Sequence, residues 1–154
     1  MKKLVVMRHA DAAQAPRDFS RPLTSYGIGQ AEESGICLKG LISPDQVLVS
    51  GALRTRMTAD VLADVLELDS EFFIYDNRIY ESSLADLTSR LAQVPSEVDE
   101  LILIGHNPGV SMLVTALCDK YCSFSSGSFA LIEFDISFWQ DIKKGSLIHN
   151  FSPS

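Results

Sequence analysis

The stretch ELILIGHNPGVSMLVTALCDK, residues 100–120, decides the fold. Its apolar first part predicts a buried strand over 100–107. Asn107 then reads as a helix cap, Pro108 as the first helical residue, and GVSMLVTALCDK carries the helix on. A buried strand passing straight into a helix is the unit from which parallel, doubly covered sheets are built.

The unit recurs to either side. KLVVM (3–7), DQVLVS (45–50) and FFIYD (72–76) predict further strands, SFALIEFD (128–135) another, and SLIHNF (146–151) a weaker last one. Residues 11–22 hold two prolines and read as a loop. Residues 23–41 predict a helix, capped by Thr24 or Ser25, with Ile28, Ala31 and Leu38 near one face. Gly27, Gly29 and Gly35 count against that helix by propensity. Residues 52–68 predict a helix with Met57, Val61, Val65 and Leu68 as its apolar stripe. Residues 83–94 predict one with Ser83 and Asp86 in capping-box spacing and Leu84, Leu87 and Leu91 on one face. Strand and helix alternate without repeat or linker. The expectation is one α/β domain over 1–154: three layers, α/β/α, with a mostly parallel central sheet flanked by helices.

Bulk properties exclude several functions. The chain has 154 residues, 46% of them hydrophobic, enough for a real core and too few for two domains. A net charge of −7 repels phosphate backbones, so nucleic acid is not an expected partner. Three cysteines, Cys37, Cys118 and Cys122, without a CxxC and beside only three histidines, give no zinc pattern. They read as thiols in a reducing compartment. The apolar run before Arg8 is too short for a signal peptide, and no run approaches a membrane span. A cytoplasmic protein without a membrane partner is expected.

Ligands of open α/β sheets bind beyond the carboxyl ends of the strands. Three segments leave such ends with unusual residues: Arg8-His9, Ser50 with Arg54 at the next helix start, and Gly105-His106-Asn107-Pro108. In a parallel sheet they converge. Arginine forks match phosphate oxygens and helix N-termini favour anions, so the cleft suits a phosphoryl group. No glycine-rich phosphate loop and no acidic cluster for magnesium accompanies it, so neither metal nor cofactor is expected. Nearby arginines disfavour a protonated His9, which leaves a lone pair able to attack phosphorus. His106 would meet the equatorial oxygens, where transition-state charge sits. The sequence does not choose between Nδ1 and Nε2 of His9. His149 has no comparable setting.

These motifs, in order and spacing, resemble the histidine phosphatase (phosphoglycerate mutase-like) superfamily. MRHADAA, RPLTSYG, LVSGALRTRMTA and LILIGHNPG are most similar to its small SixA-type phosphohistidine phosphatases, from Lys3 to about Phe134. The resemblance implies His9 as nucleophile and Arg8, Arg54 and His106 as phosphate ligands, with Arg21 of RPLT a further candidate. Thr24 of that motif reads as a helix cap. Two departures stand out. Ser50-Gly51 replaces the usual Ser-Pro. The acidic proton donor of the mutases has only Glu81 as a candidate, and its flanks do not match. An alkoxide leaves poorly without an acid, whereas the imidazole of a phosphohistidine leaves well.

The reading is therefore a metal-independent hydrolase that works through a phosphohistidine on itself. Its expected substrate is phosphohistidine on a protein partner, such as a histidine phosphotransfer domain. A phosphatase of a small phosphorylated metabolite and a non-catalytic phospho-binding module are the alternatives.

Overall fold

Period-two alternation in the central strands sends side chains to opposite faces, and each face carries its own core. The structure, a computed structural model, describes residues 1–154. In β1 (Lys2–Arg8), Leu4 and Val6 pack on one face and Val5 and Met7 on the other. In β4 (Glu100–Gly105), Leu101 and Leu103 join the first face, Ile102 and Ile104 the second. In β2 (Gln46–Val49), Leu48 faces the first, Val47 and Val49 the second. Side chains buried on both faces explain why these strands read as near-continuous apolar runs.

Helices cover both faces. α3 (Leu84–Ala92) and α4 (Gly109–Cys118) close the first with Leu87, Leu91, Leu113 and Leu117. α1 (Ser25–Lys39) and α2 (Leu53–Leu66) close the second with Leu38, Ala59 and Leu62. The sheet order is β3 (Phe73–Tyr75), β2, β4, β1, β5 (Phe129–Phe134), β6 (Ser146–Phe151). The first four strands are mutually parallel; β5 runs antiparallel to β1, and β6 antiparallel to β5. This is the expected three-layer, mostly parallel α/β/α architecture.

The caps follow the sequence in two helices. Thr24 Oγ1 accepts from the Gly27 amide at 2.9 Å. Ser83 and Asp86 close a full capping box, with bonds of 2.9 and 3.1 Å.

Three expectations need correction. Ile28 is exposed, and the buried face of α1 is instead Gly27, Gln30, Ala31, Ser34, Gly35 and Leu38. Small residues let this face come close to its neighbours; a Cβ at Gly27 would collide with the Asp11 backbone carbonyl. The glycines that count against the helix by propensity are what lets it dock. In α2 the buried residues are Arg54, Thr55, Thr58, Ala59 and Leu62, while Met57, Val61 and Val65, and Leu68 beyond its end, are only partly buried. Two threonines can line the core because their hydroxyls bond locally. Thr55 Oγ1 donates to the Ser50 carbonyl at 2.7 Å, and Thr58 Oγ1 to the Arg54 carbonyl at 2.8 Å. Finally, α4 begins at Gly109 with Pro108 as its cap. Asn107 does not cap it, because its amide nitrogen donates to the Phe124 carbonyl at 2.8 Å and its oxygen accepts from Ser111 at 2.5 Å.

Candidate active site

Strand register brings the predicted segments together. Arg8 pairs with Gly105 and Val49 with Ile104, so β1, β2 and β4 end level on one edge. The residues that follow at once are His9, Ser50 and His106. The two imidazole centroids lie 5.3 Å apart. The backbone around His9 is pinned: its amide donates to the Gly105 carbonyl at 3.1 Å, and its carbonyl accepts from the Gly127 amide at 2.9 Å. Arg54 sits in the first turn of α2, where the positive end of the helix dipole adds to its own charge.

One contact settles which nitrogen of His9 is free. Nδ1 lies 2.7 Å from the Ala10 carbonyl oxygen. A carbonyl can only accept, so Nδ1 carries the proton and the lone pair is on Nε2. His9 is 6% exposed. Burial, with the charges of Arg54, Arg8 and Arg21, pushes its pKa down to about 4, against the pull of the Ala10 bond. His106 is pushed down to about 3 by burial first, then by His9 and Arg54. Both rings are neutral near neutral pH.

The donors around His9 are incompletely used. Arg8 gives one Nη to the Phe124 carbonyl at 3.0 Å, but its Nε is buried without a partner. Arg54 gives its two Nη groups to Asp18, to the carbonyl at 2.7 Å and the carboxylate at 3.1 Å, and its Nε is also buried without a partner. His106 Nε2 meets Ser50 Oγ at 2.8 Å, and its Nδ1 is buried without a partner. Buried donors are normally satisfied. Two arginine Nε donors and one imidazole nitrogen at this edge are left without partners, a set that an acceptor-rich anion would satisfy once His106 Nδ1 carries a proton. No group of three or more His, Cys, Asp or Glu side chains gathers in a way that could hold a metal ion. No helix is long and apolar enough to cross a membrane.

No family model matches the chain. A protein of Mycobacterium tuberculosis, described only as uncharacterised, is 33% identical over 114 residues, which cover 72% of this chain and 69% of that relative. Among solved structures, a protein assigned as the phosphohistidine phosphatase SixA of Nakamurella multipartitia superposes with a TM-score of 0.88 at 26% identity, covering 99% of this chain and 96% of that one. The protein histidine phosphatase SixA, solved with tungstate, superposes with a TM-score of 0.86 at 28% identity, covering 98% of this chain and 97% of that one. The chain resembles the histidine phosphatase superfamily in fold and in sequence. Its fold is phosphoglycerate mutase-like, and phosphatases of the SixA type are among its structural neighbours.

Against the pattern of histidine phosphatases, the remaining residues fall as follows. Arg21 is at the rim. Its Nε donates to the Ala13 carbonyl at 3.0 Å and one Nη reaches Asp18 at 3.3 Å, while its charge acts on His9 from a distance. Glu81 is exposed, takes part in no hydrogen bond or ion pair, and has a left-handed φ of 52°. Its neighbour Tyr80 is the residue that turns inward. The Tyr80 hydroxyl donates to Asp18 at 2.5 Å, and its ring meets the His106 ring edge-on at 5.5 Å. Gly51 stands where the family usually has proline. A Cβ there would run into the side-chain amide of Asn77, so glycine lets Asn77 lie against the turn.

Asp18 and Tyr80 escape the sequence reading. Asp18 lies in the loop before Arg21 and has no periodicity to mark it. The structure makes it the partner of Arg54, Arg21 and Tyr80 at once. Those bonds, the Tyr80 hydroxyl first, pull its carboxyl down to about 2, and Asp18 in turn pushes Tyr80 up to about 12. An acidic residue in a loop that must lie over two arginines is the only signal the sequence carries.

Proposed function

We propose that this chain dephosphorylates phosphohistidine on a partner protein, without a metal, through a phosphohistidine formed on His9. The carrying observation is the trio of buried, unpartnered nitrogens on Arg8, Arg54 and His106 around a neutral imidazole whose Nε2 is free. In the first step, the Nε2 lone pair forms a bond to phosphorus and the substrate's P–N bond breaks. The other nitrogen of the substrate ring takes up a solvent proton, so a neutral imidazole departs. In the second step, water attacks phosphorus, the His9–phosphorus bond breaks, and inorganic phosphate leaves with the lone pair restored to Nε2. Arg8, Arg54 and His106 donate to the equatorial oxygens in both steps, which is where charge must be stabilised. Arg21 supports the site from the rim.

The reading favours phosphohistidine over an ester for two reasons. Glu81, the candidate proton donor, is exposed and unengaged, which suits a leaving group that needs no enzyme acid. The helices also follow β2 and β4 after short connections, residues 50–52 and 106–108, so neither of these connections carries an inserted segment; the loop with Asp18 and the Tyr80 ring border the two histidines. Short connections suit a substrate side chain carried on another protein better than an enclosed small metabolite.

The test is turnover of a phosphohistidine-bearing protein and a panel of phosphate monoesters in EDTA, with His9→Ala and Glu81→Gln alongside. Fast cleavage of phosphohistidine, slow cleavage of esters, an inactive His9→Ala and an unaffected Glu81→Gln are expected. Faster ester cleavage that collapses in Glu81→Gln would replace the reading with a metabolite phosphatase. Tungstate or phosphate binding with no turnover at all would leave a phospho-binding module.

A further inference from the structure

The two nitrogens of His106 are in unlike settings. Nε2 lies 2.8 Å from Ser50 Oγ, and Nδ1 is buried with no partner. Ser50 is fully buried, held by the turn between β2 and α2. Its oxygen is also approached by the Ala52 amide, at 3.4 Å. A carbonyl fixes the tautomer of His9, but a hydroxyl can donate or accept, so His106 has two arrangements to compare.

In one, the Ser50 hydroxyl donates to Nε2 and accepts from the Ala52 amide. The proton of His106 is then on Nδ1, and that N–H is the only group left without a partner. In the other, Nε2–H donates to Ser50. The serine proton then has no acceptor within the protein, and Nδ1 presents a bare lone pair. The second arrangement leaves two buried groups unsatisfied, one of which would repel a phosphoryl oxygen. The first leaves a single donor, beside two arginine Nε donors that are also unpartnered.

We infer that Ser50 is a positioning residue: its hydroxyl donates to Nε2 of His106 and so holds the ring as the Nδ1–H tautomer that donates to the phosphoryl group. Ser50 does not touch substrate itself. It converts a ring that could accept or donate into one that only donates where an anion binds. The inference rests on the phosphatase reading for the identity of the anion, and on contacts within the protein for the tautomer.

The experiment is nitrogen-15 NMR of the imidazoles in the full chain, for wild type, Ser50→Ala and Ser50→Thr, with tungstate affinity measured on each. Wild type should show His106 protonated on Nδ1 and bare on Nε2. Ser50→Ala should move proton density to Nε2 and weaken tungstate roughly tenfold, the size of a lost hydrogen bond to a charged group. Ser50→Thr, which keeps the hydroxyl, should restore both. A wild-type His106 protonated on Nε2 overturns the inference even if neither variant folds. So does a Ser50→Ala protein that keeps the Nδ1–H form and full tungstate affinity. A wild type that cleaves phosphohistidine with His106 in the Nε2–H form overturns this inference alone. One that cleaves nothing overturns the phosphatase reading, whichever form His106 takes.

Discussion

Burying a neutral nucleophile has a cost that should be visible as acid sensitivity of the fold. His9 titrates at about 4 in the folded protein, against about 6.5 in an unfolded chain. As pH falls through 6.5 the unfolded state gains a proton that the folded state refuses, so stability falls. The loss continues until about pH 4, where folded His9 also protonates, and then levels off. Between about pH 7.5 and about pH 5 the His9 contribution comes to about 2 kcal/mol. Asp60, whose carboxyl is raised by burial, responds alike in wild type and in a His9 variant, so the comparison cancels it. Asp18, drawn down to about 2 by Tyr80, Arg54 and Arg21, loses its stabilising contribution only at lower pH. His106, pushed down to about 3, acts in the same direction as His9. The assay is urea unfolding at the two pH values, followed by circular dichroism, for wild type and His9→Asn. Wild type should lose stability on acidification, and His9→Asn should lose about 2 kcal/mol less. Equal losses in the two proteins would refute the claim that burial holds His9 neutral.

Asp18→Asn removes the carboxylate that shares Arg54, so inorganic phosphate should inhibit several-fold more strongly; the effect is modest because Asp18 is about half exposed. Unchanged or weaker inhibition would show that Asp18 does not compete for that guanidinium. Gly27→Ala should destabilise the protein by about 1–3 kcal/mol in urea, because the clash with the Asp11 carbonyl outweighs the gain in helix propensity. A stabilised Gly27→Ala would mean that α1 can shift away without loss. Ser83→Ala breaks the capping box of α3 and should cost about 1 kcal/mol of stability while turnover stays at the wild-type level.

The sequence is most legible where a local rule and the tertiary structure agree. The run from 100 to 105 is buried on both faces, so its composition alone marks it as a central strand. Ser83 and Asp86 make their capping bonds within one helical turn, and the pattern can be read without knowing the rest of the chain. The candidate site's residues are brought together by a rule of the same kind. His9 and His106 directly follow β1 and β4, Arg8 ends β1, and Arg54 opens α2 just beyond β2; a parallel sheet brings such ends together. What sequence alone missed depends on what packs against what. The stripe Met57, Val61, Val65 and Leu68 is more apolar than the face α2 buries, because Thr55 and Thr58 hide their polarity in bonds to the backbone. Ile28 is outside because α1 needs Gly27 and Gly35 on its inner face. Asn107 has the composition of a cap, but Phe124 and Ser111, both distant from any capping rule, hold its side chain. Asp18 and Tyr80 are 62 residues apart and meet only in the folded chain.

The central claim is that His9 carries the phosphoryl group covalently, and trapping it tests that claim most directly. The enzyme is mixed with an equimolar phosphohistidine-bearing protein, quenched in alkali during the first turnover, digested, and mapped by mass spectrometry. The account predicts a transient phosphoryl group on His9, attached at Nε2, that forms before inorganic phosphate appears and decays as phosphate is released. Phosphate released at full rate with His9 never modified, or with the label on another residue, would contradict it.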